Sequence, residues 1–174
     1  MAQKMIRLFD LQNGKVIPTE HCYTIGYLKD IMDEYPEDHV SIYAFLFYMT
    51  CPNEDLNPYF NIKEDEKESI ILQDLRANFT TEDPLVLTAL TNIKELYETP
   101  TSRAFNGIKI ALDNMAEVMS ETKPTFGRDG SATALLRIAK DFDDVRQSYK
   151  GVYKDLQDEQ QTRTRGGGSL AYDQ

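Results

Sequence analysis

Tryptophan is missing from this 174-residue chain, and histidine and cysteine occur only twice each. So small a stock of imidazole and thiol leaves little for the metal centres that draw three or four ligands from those residue types. His21 and His39 have no carboxylate or cysteine at ligand spacing except Cys22, which as the neighbour of His21 cannot share a helical face with it. Both histidines read as structural. Cys22 and Cys51 sit in apolar stretches without a CxxC or CxxH pattern, and they read as buried free thiols rather than a disulfide. Long apolar runs are lacking too: Ile42–Met49 is the longest and falls far below the ~20 residues that cross a bilayer. Residues Met5–Leu8 are too short and interrupted for a secretory signal, so the expectation is a cytoplasmic folding compartment without a membrane partner. Basic residues are scarce against acidic ones, 19 Lys and Arg to 29 Asp and Glu, for a net charge of -10. A field of that sign repels phosphate backbones and anionic lipid at long range.

Catalytic signatures are equally sparse. No serine elbow, Cys/His pair or lysine-bearing phosphate loop is present, so acyl and phosphoryl transfer have no foothold. Gly127-Arg128-Asp129-Gly130 imitates an anion-binding turn before a helix but lacks the Walker lysine, and it reads as a plain loop. Asp141, Asp143 and Asp144, with Asp113 and Glu117, are the candidates for a carboxylate metal or acid/base cluster. Arg137, Lys140 and Arg146 interleave with them, which favours a solvated, ion-paired helix face. Glu64–Glu68 lacks the glycine of a calcium loop. The expectation is a protein that is not an enzyme and takes no cofactor or metal.

What the chain does have is 41% hydrophobic and 28% charged residues, enough for a globular core. Met5–Leu11 alternates apolar and polar residues, and Asn13-Gly14 separates it from Lys15-Val16-Ile17, the pattern of a β-hairpin. Tyr23, Tyr27, Ile31 and Tyr35 recur at spacing four and predict a helix that Pro36 ends. A second helix is expected from Asp38, as cap, to Thr50, apolar nearly all round and therefore central to the core. Acidic residues at Glu64–Glu68 open a third helix, and Asp83-Pro84 and Thr99-Pro100 mark the starts of two more. The last of these places Ala104, Ile108, Ala111, Met115 and Val118 on one stripe, expected to pack antiparallel to its predecessor.

Ser131 is placed to cap a long final helix in which Leu135, Ile138, Phe142, Val145, Tyr149, Val152 and Leu156 alternate steps of three and four. This seam packs within a bundle or pairs helices between subunits. For Tyr149, Val152 and Leu156 no other expected helix is long enough to cover the stripe, which makes them candidate partner-binding residues. After Gln161 the composition changes to Arg163-Thr164-Arg165-Gly166-Gly167-Gly168-Ser169, a pliant linker, native or engineered, with Leu170 and Tyr172 at its end. Arg163 and Arg165, extended, would point the same way toward acidic or phosphate groups. The fold expected is mainly α: a helical bundle over residues 1–161 with an N-terminal β-hairpin at 1–17, one long C-terminal helix, and a docking tail at 162–174.

A helical bundle ending in Gln161-Thr162-Arg163-Thr164-Arg165-Gly166-Gly167-Gly168-Ser169-Leu170-Ala171-Tyr172-Asp173-Gln174 resembles the head-to-tail connector, or ring, proteins of tailed bacteriophages, the crAss-like phages in particular. That resemblance spans about Asp83 to Gln174, and the N-terminal hairpin departs from a minimal helical connector. It implies a virion structural protein, assembled in the host cytoplasm, that forms a homo-oligomeric ring of twelve copies. The ring would bind the portal protein and other neck or tail proteins and let DNA pass without sequence-specific contact. Arg163, Arg165, Leu170 and Tyr172 would dock on the portal or a neighbouring subunit. The alternative expectation is an intracellular adaptor or regulatory protein, monomeric or dimeric, whose long helix is the binding face. An enzyme using Asp113 and Asp141 with a divalent metal is the third.

Overall fold

The computed structural model describes residues 7–128 and 130–165, with side chains as far as Glu159. The sequence reading takes residues 1–161 as one domain; the chain divides into two compact units, one through Glu98 and one from Thr99 on.

The first unit opens with the expected hairpin. Strand β1 (Phe9–Gln12) pairs antiparallel with β2 (Lys15–Pro18), Phe9 opposite Pro18 and Gln12 opposite Lys15. The two turn residues, Asn13 and Gly14, take φ of 52° and 75°, the left-handed pair whose twist suits a two-residue hairpin. The helix expected from Tyr23 is broken in two: a 3-10 turn at Glu20–Tyr23, then α1 (Gly26–Glu34). Extended backbone at Ile25 separates them, so Tyr23 leaves the stripe and is 45% exposed while Leu28 and Ile31 are buried.

Helix α2 (His39–Thr50) is the centre. Ile42 to Phe47 and Met49 are all buried, and β2, α1, α3 (Glu64–Leu75) and α4 (Pro84–Tyr97) pack around it. Each such aliphatic or aromatic side chain contributes about 1.5–3 kcal/mol through its burial. Asp38 precedes α2 but makes no side-chain cap; the preceding turn continues instead, with His39 N–H donating to the Tyr35 carbonyl. Asp83 does cap α4, accepting from Leu85 N–H. The apolar stripe of α4 expected to face its successor is spent within this unit: Val86, Ala89 and Ile93 are buried where α4 packs on α1 and α2.

Asn57 closes the loop after α2. The last carbonyls of a helix lack intrahelical donors, and Pro52 brings no N–H of its own. The Asn57 side-chain amide, 1% exposed with its residue, donates to the carbonyls of Tyr48 and Cys51, both at 2.8 Å, and its oxygen accepts from Tyr59 N–H.

The second unit is an antiparallel pair, α5 (Pro100–Glu121) and α6 (Ala132–Arg165). Thr99 and Ser102 form the full capping box that starts α5, with Pro100 at the first helical position. The Ser131 hydroxyl donates to the Lys123 carbonyl and accepts from Thr125 N–H, so the loop closes on itself.

Candidate docking surface

The seam of α6 lies where its spacing predicts: Leu135, Ile138, Phe142, Val145, Tyr149 and Val152 are half-buried and Leu156 is 3% exposed. The stripe of α5 that meets it is shifted by one residue from the expected one. Ile108 and Met115 are half-buried as expected, and so is Ala111, but it is Phe105, Leu112 and Met119 that alternate with them by three and four, whereas Ala104 is exposed and Val118 is 44% exposed. Counting from Phe105 instead of Ala104 recovers the heptad; Phe105, Leu112 and Met119 are the residues passed over.

Phe105 anchors the open end of the pair. Its ring, 2% exposed with its residue, lies 5.1 Å from Tyr149 and 5.6 Å from Tyr153, and the two tyrosines stack on each other at 6.2 Å. Gln157 donates to the Tyr153 hydroxyl. One turn further, the Thr99 hydroxyl donates to the Glu159 carboxylate at 3.2 Å, which also places negative charge at the positive end of the α5 dipole. Nothing in the spacing announces this link, because it joins residues sixty apart.

These contacts bear on three of the expected partner-binding residues. Leu156 is 3% exposed. Tyr149 is tied to Phe105 and half-covered, and Val152 is half-covered. The helix that the sequence reading finds too short to cover them, α5, reaches them because its first turn sits level with Tyr149 to Glu159. Arg163 and Arg165 belong to α6, which continues past Gln161, so their backbone is helical and not the extended strand expected. Leu170 and Tyr172 lie outside the described residues.

The other candidates stay apart. His39 Nδ1 lies 2.8 Å from the Pro36 carbonyl and its ring is edge-on to Tyr43, while His21 is exposed. Cys22 and Cys51 are free thiols. Burial pushes the Cys22 thiol up to about 11, and its Sγ donates to the Leu8 carbonyl; burial raises Cys51 as well. In the aspartate cluster, Asp143 accepts from Arg146 at 3.0 Å and from Gln147. Among the described residues no three His, Cys, Asp or Glu side chains gather as a metal site, and no helix is long and apolar enough to cross a membrane.

Charge divides unevenly. Residues through Glu98 carry eight Lys and Arg against eighteen Asp and Glu, and residues from Thr99 on carry eleven of each. The whole net charge of -10 therefore belongs to the first unit. Apolar burial divides the same way: among the described residues, Phe105 and Leu156 are the two buried apolar side chains of the second unit, and all other buried apolar residues lie in the first. No protein-family model, curated protein or solved structure matches the chain.

Proposed function

We propose that this protein is a structural assembly protein, a connector whose copies form a ring joining a portal to a tail. The observation that carries the reading is the α5–α6 hairpin, two long helices with two buried apolar side chains among their described residues. An antiparallel helix pair covers only one side of each seam, and helices of this length are stabilised chiefly by tertiary burial. A surface so thinly covered suits a partner more than solvent. The acidic first unit fits a channel through which DNA slides without adhering, since like charge opposes phosphate contact. Residues 162–174, with Arg163, Arg165, Leu170 and Tyr172, are the segment proposed to dock on the portal or a neighbour; repetition around a ring would multiply one weak contact into avidity.

Co-expression with the portal protein of the same genome, followed by electron microscopy, tests this. Rings of twelve on the portal are expected, and removing residues 163–174 should leave the circular-dichroism spectrum helical while abolishing them. A chain that stays apart from the portal overturns the connector reading. The half-covered seam also favours a second reading, an adaptor whose hairpin binds another protein as monomer or dimer; light scattering of the free chain and of the portal mixture separates the two.

A further inference from the structure

Opposite charges interleave along α6, with Lys140 and Asp158 among them, but the two sides of its seam differ in the sign that prevails. Arg146, Lys150 and Lys154 follow one another at intervals of four and form one stripe, joined by Asp143, which bonds Arg146. On the other side of the seam lie Asp141, Asp144 and Asp155, with Arg137 among them, and Glu159 next to Thr99. Like charges four apart cost a free helix a few tenths of a kcal/mol each, so a helix serving only itself gains by alternating signs. In this one the Arg146–Lys150–Lys154 stripe holds one acid, Asp143, and the Asp141–Asp144–Asp155 side one base, Arg137.

Helix α5 extends the acidic side with an apolar stripe. Ala104, Ala111 and Val118 each precede a seam residue of α5, as Asp141 and Asp155 precede Phe142 and Leu156 of α6. In an antiparallel pair such positions of the two helices line the same side. Ala104 and Val118 are exposed there, whereas the basic side carries Leu136, 73% exposed. One flank of the hairpin is thus acidic with a shallow apolar strip, and the other is basic with a protruding leucine.

We infer that the two flanks are made for each other: a second copy of this chain sets its Arg146–Lys150–Lys154 flank against the Asp141–Asp144–Asp155 flank of the first. Charge complementarity selects the occupant, because a copy aligned in parallel brings Lys154 level with Asp155 and Arg146 level with Asp144. The second unit has equal numbers of acids and bases, so two hairpins meet without net repulsion. Such a contact joins unlike surfaces, so each copy keeps one flank open for the next, and the series closes only as a ring. The inference deepens the connector reading by naming the subunit contact, but it concerns the free chain and needs no portal.

Sedimentation of the full chain tests it, at about 0.1 M salt, where a Debye length of about 10 Å screens the acidic first units from each other more than charges in contact. Concentration-dependent association is expected up to about 0.1 mM chain and should weaken at 1 M salt. Lys150→Glu with Lys154→Glu, or Asp141→Lys with Asp144→Lys and Asp155→Lys, should each raise the dissociation constant roughly tenfold or more, since attraction becomes repulsion at exposed positions. Circular dichroism confirms that these surface variants fold. Mixing the two variants should restore association, because each supplies the flank the other has lost. A wild-type chain that stays monomeric, reversals without effect, or a mixture that fails to recover each overturns the inference. Rings on the portal in that event leave the connector reading standing, and free association with no portal binding removes the connector reading alone.

Discussion

Replacing Asn57 with alanine removes the amide that terminates α2, and the loss follows from its three hydrogen bonds. Two donor bonds to the Tyr48 and Cys51 carbonyls and one accepted from Tyr59 N–H disappear together. A hydrogen bond contributes about 1 kcal/mol net, and buried groups left unmatched cost about 1–3 kcal/mol more. No water replaces the amide readily in a pocket where Asn57 is 1% exposed. The expected loss is about 3–4 kcal/mol, equivalent to a fall of about 15 °C in the melting temperature of a unit this size. Both cysteines lie in the first unit, so thiol labelling across a urea series reads its unfolding without interference from α5 and α6. Asn57→Asp should be worse at neutral pH, since a carboxylate would face two carbonyl oxygens. Its folded pKa is then raised, so the variant is most stable below the unfolded value of about 3.9 and loses stability as pH rises. A loss below about 1 kcal/mol for Asn57→Ala would refute the argument that this side chain satisfies the helix end.

Thr99→Ala should destabilise the α5–α6 pair by about 1–2 kcal/mol through the lost cap, with Thr99→Ser retaining most of it, both read by far-ultraviolet thermal melts. Tyr35 donates to Asp83, which holds that carboxyl below its usual range and the phenol above its own. The carboxyl's contribution is present above its unfolded pKa and lost as pH falls through the folded one; the phenol's is present below its unfolded pKa and lost as pH rises through the folded one. Tyr35→Phe should therefore flatten the stability profile at both extremes, as urea midpoints across pH would reveal. Cys22, its thiol raised to about 11 by burial, should resist a disulfide reagent at pH 8 in the folded protein and react at once in urea.

Local signals in the sequence carried much of the first unit. Asn13-Gly14 could hardly be other than a tight turn, and the run from Ile42 to Met49 had to be surrounded because no polar face remains to show solvent. Proline marked two helix starts correctly, since Asp83 and Thr99 each had an oxygen free to meet an otherwise unpaired N–H. Asp38 had the same chemistry and did otherwise, because a preceding turn took its place. The one-residue shift of the α5 stripe has a comparable cause: Ala104, Ala111 and Val118 repeat as faithfully as Phe105, Leu112 and Met119, and only the larger volume of the second set decides which faces α6. Contacts that join distant residues, such as Thr99 with Glu159 or Asn57 with Tyr48, leave no periodic trace.

The two units differ in how apolar burial and charge are distributed. Residues through Glu98 concentrate the aromatic and aliphatic burial around α2, so that unit can tolerate a charge of -10 whose self-repulsion would strain a thinner core. From Thr99 on, charge balances but apolar cover does not, and the helices retain exposed Val118, Ile110 and Leu136 that an isolated pair cannot hide. A surface of balanced charge and unspent apolar area associates, whereas one of high net charge stays dispersed. That contrast is what places the proposed contact between copies on α5 and α6.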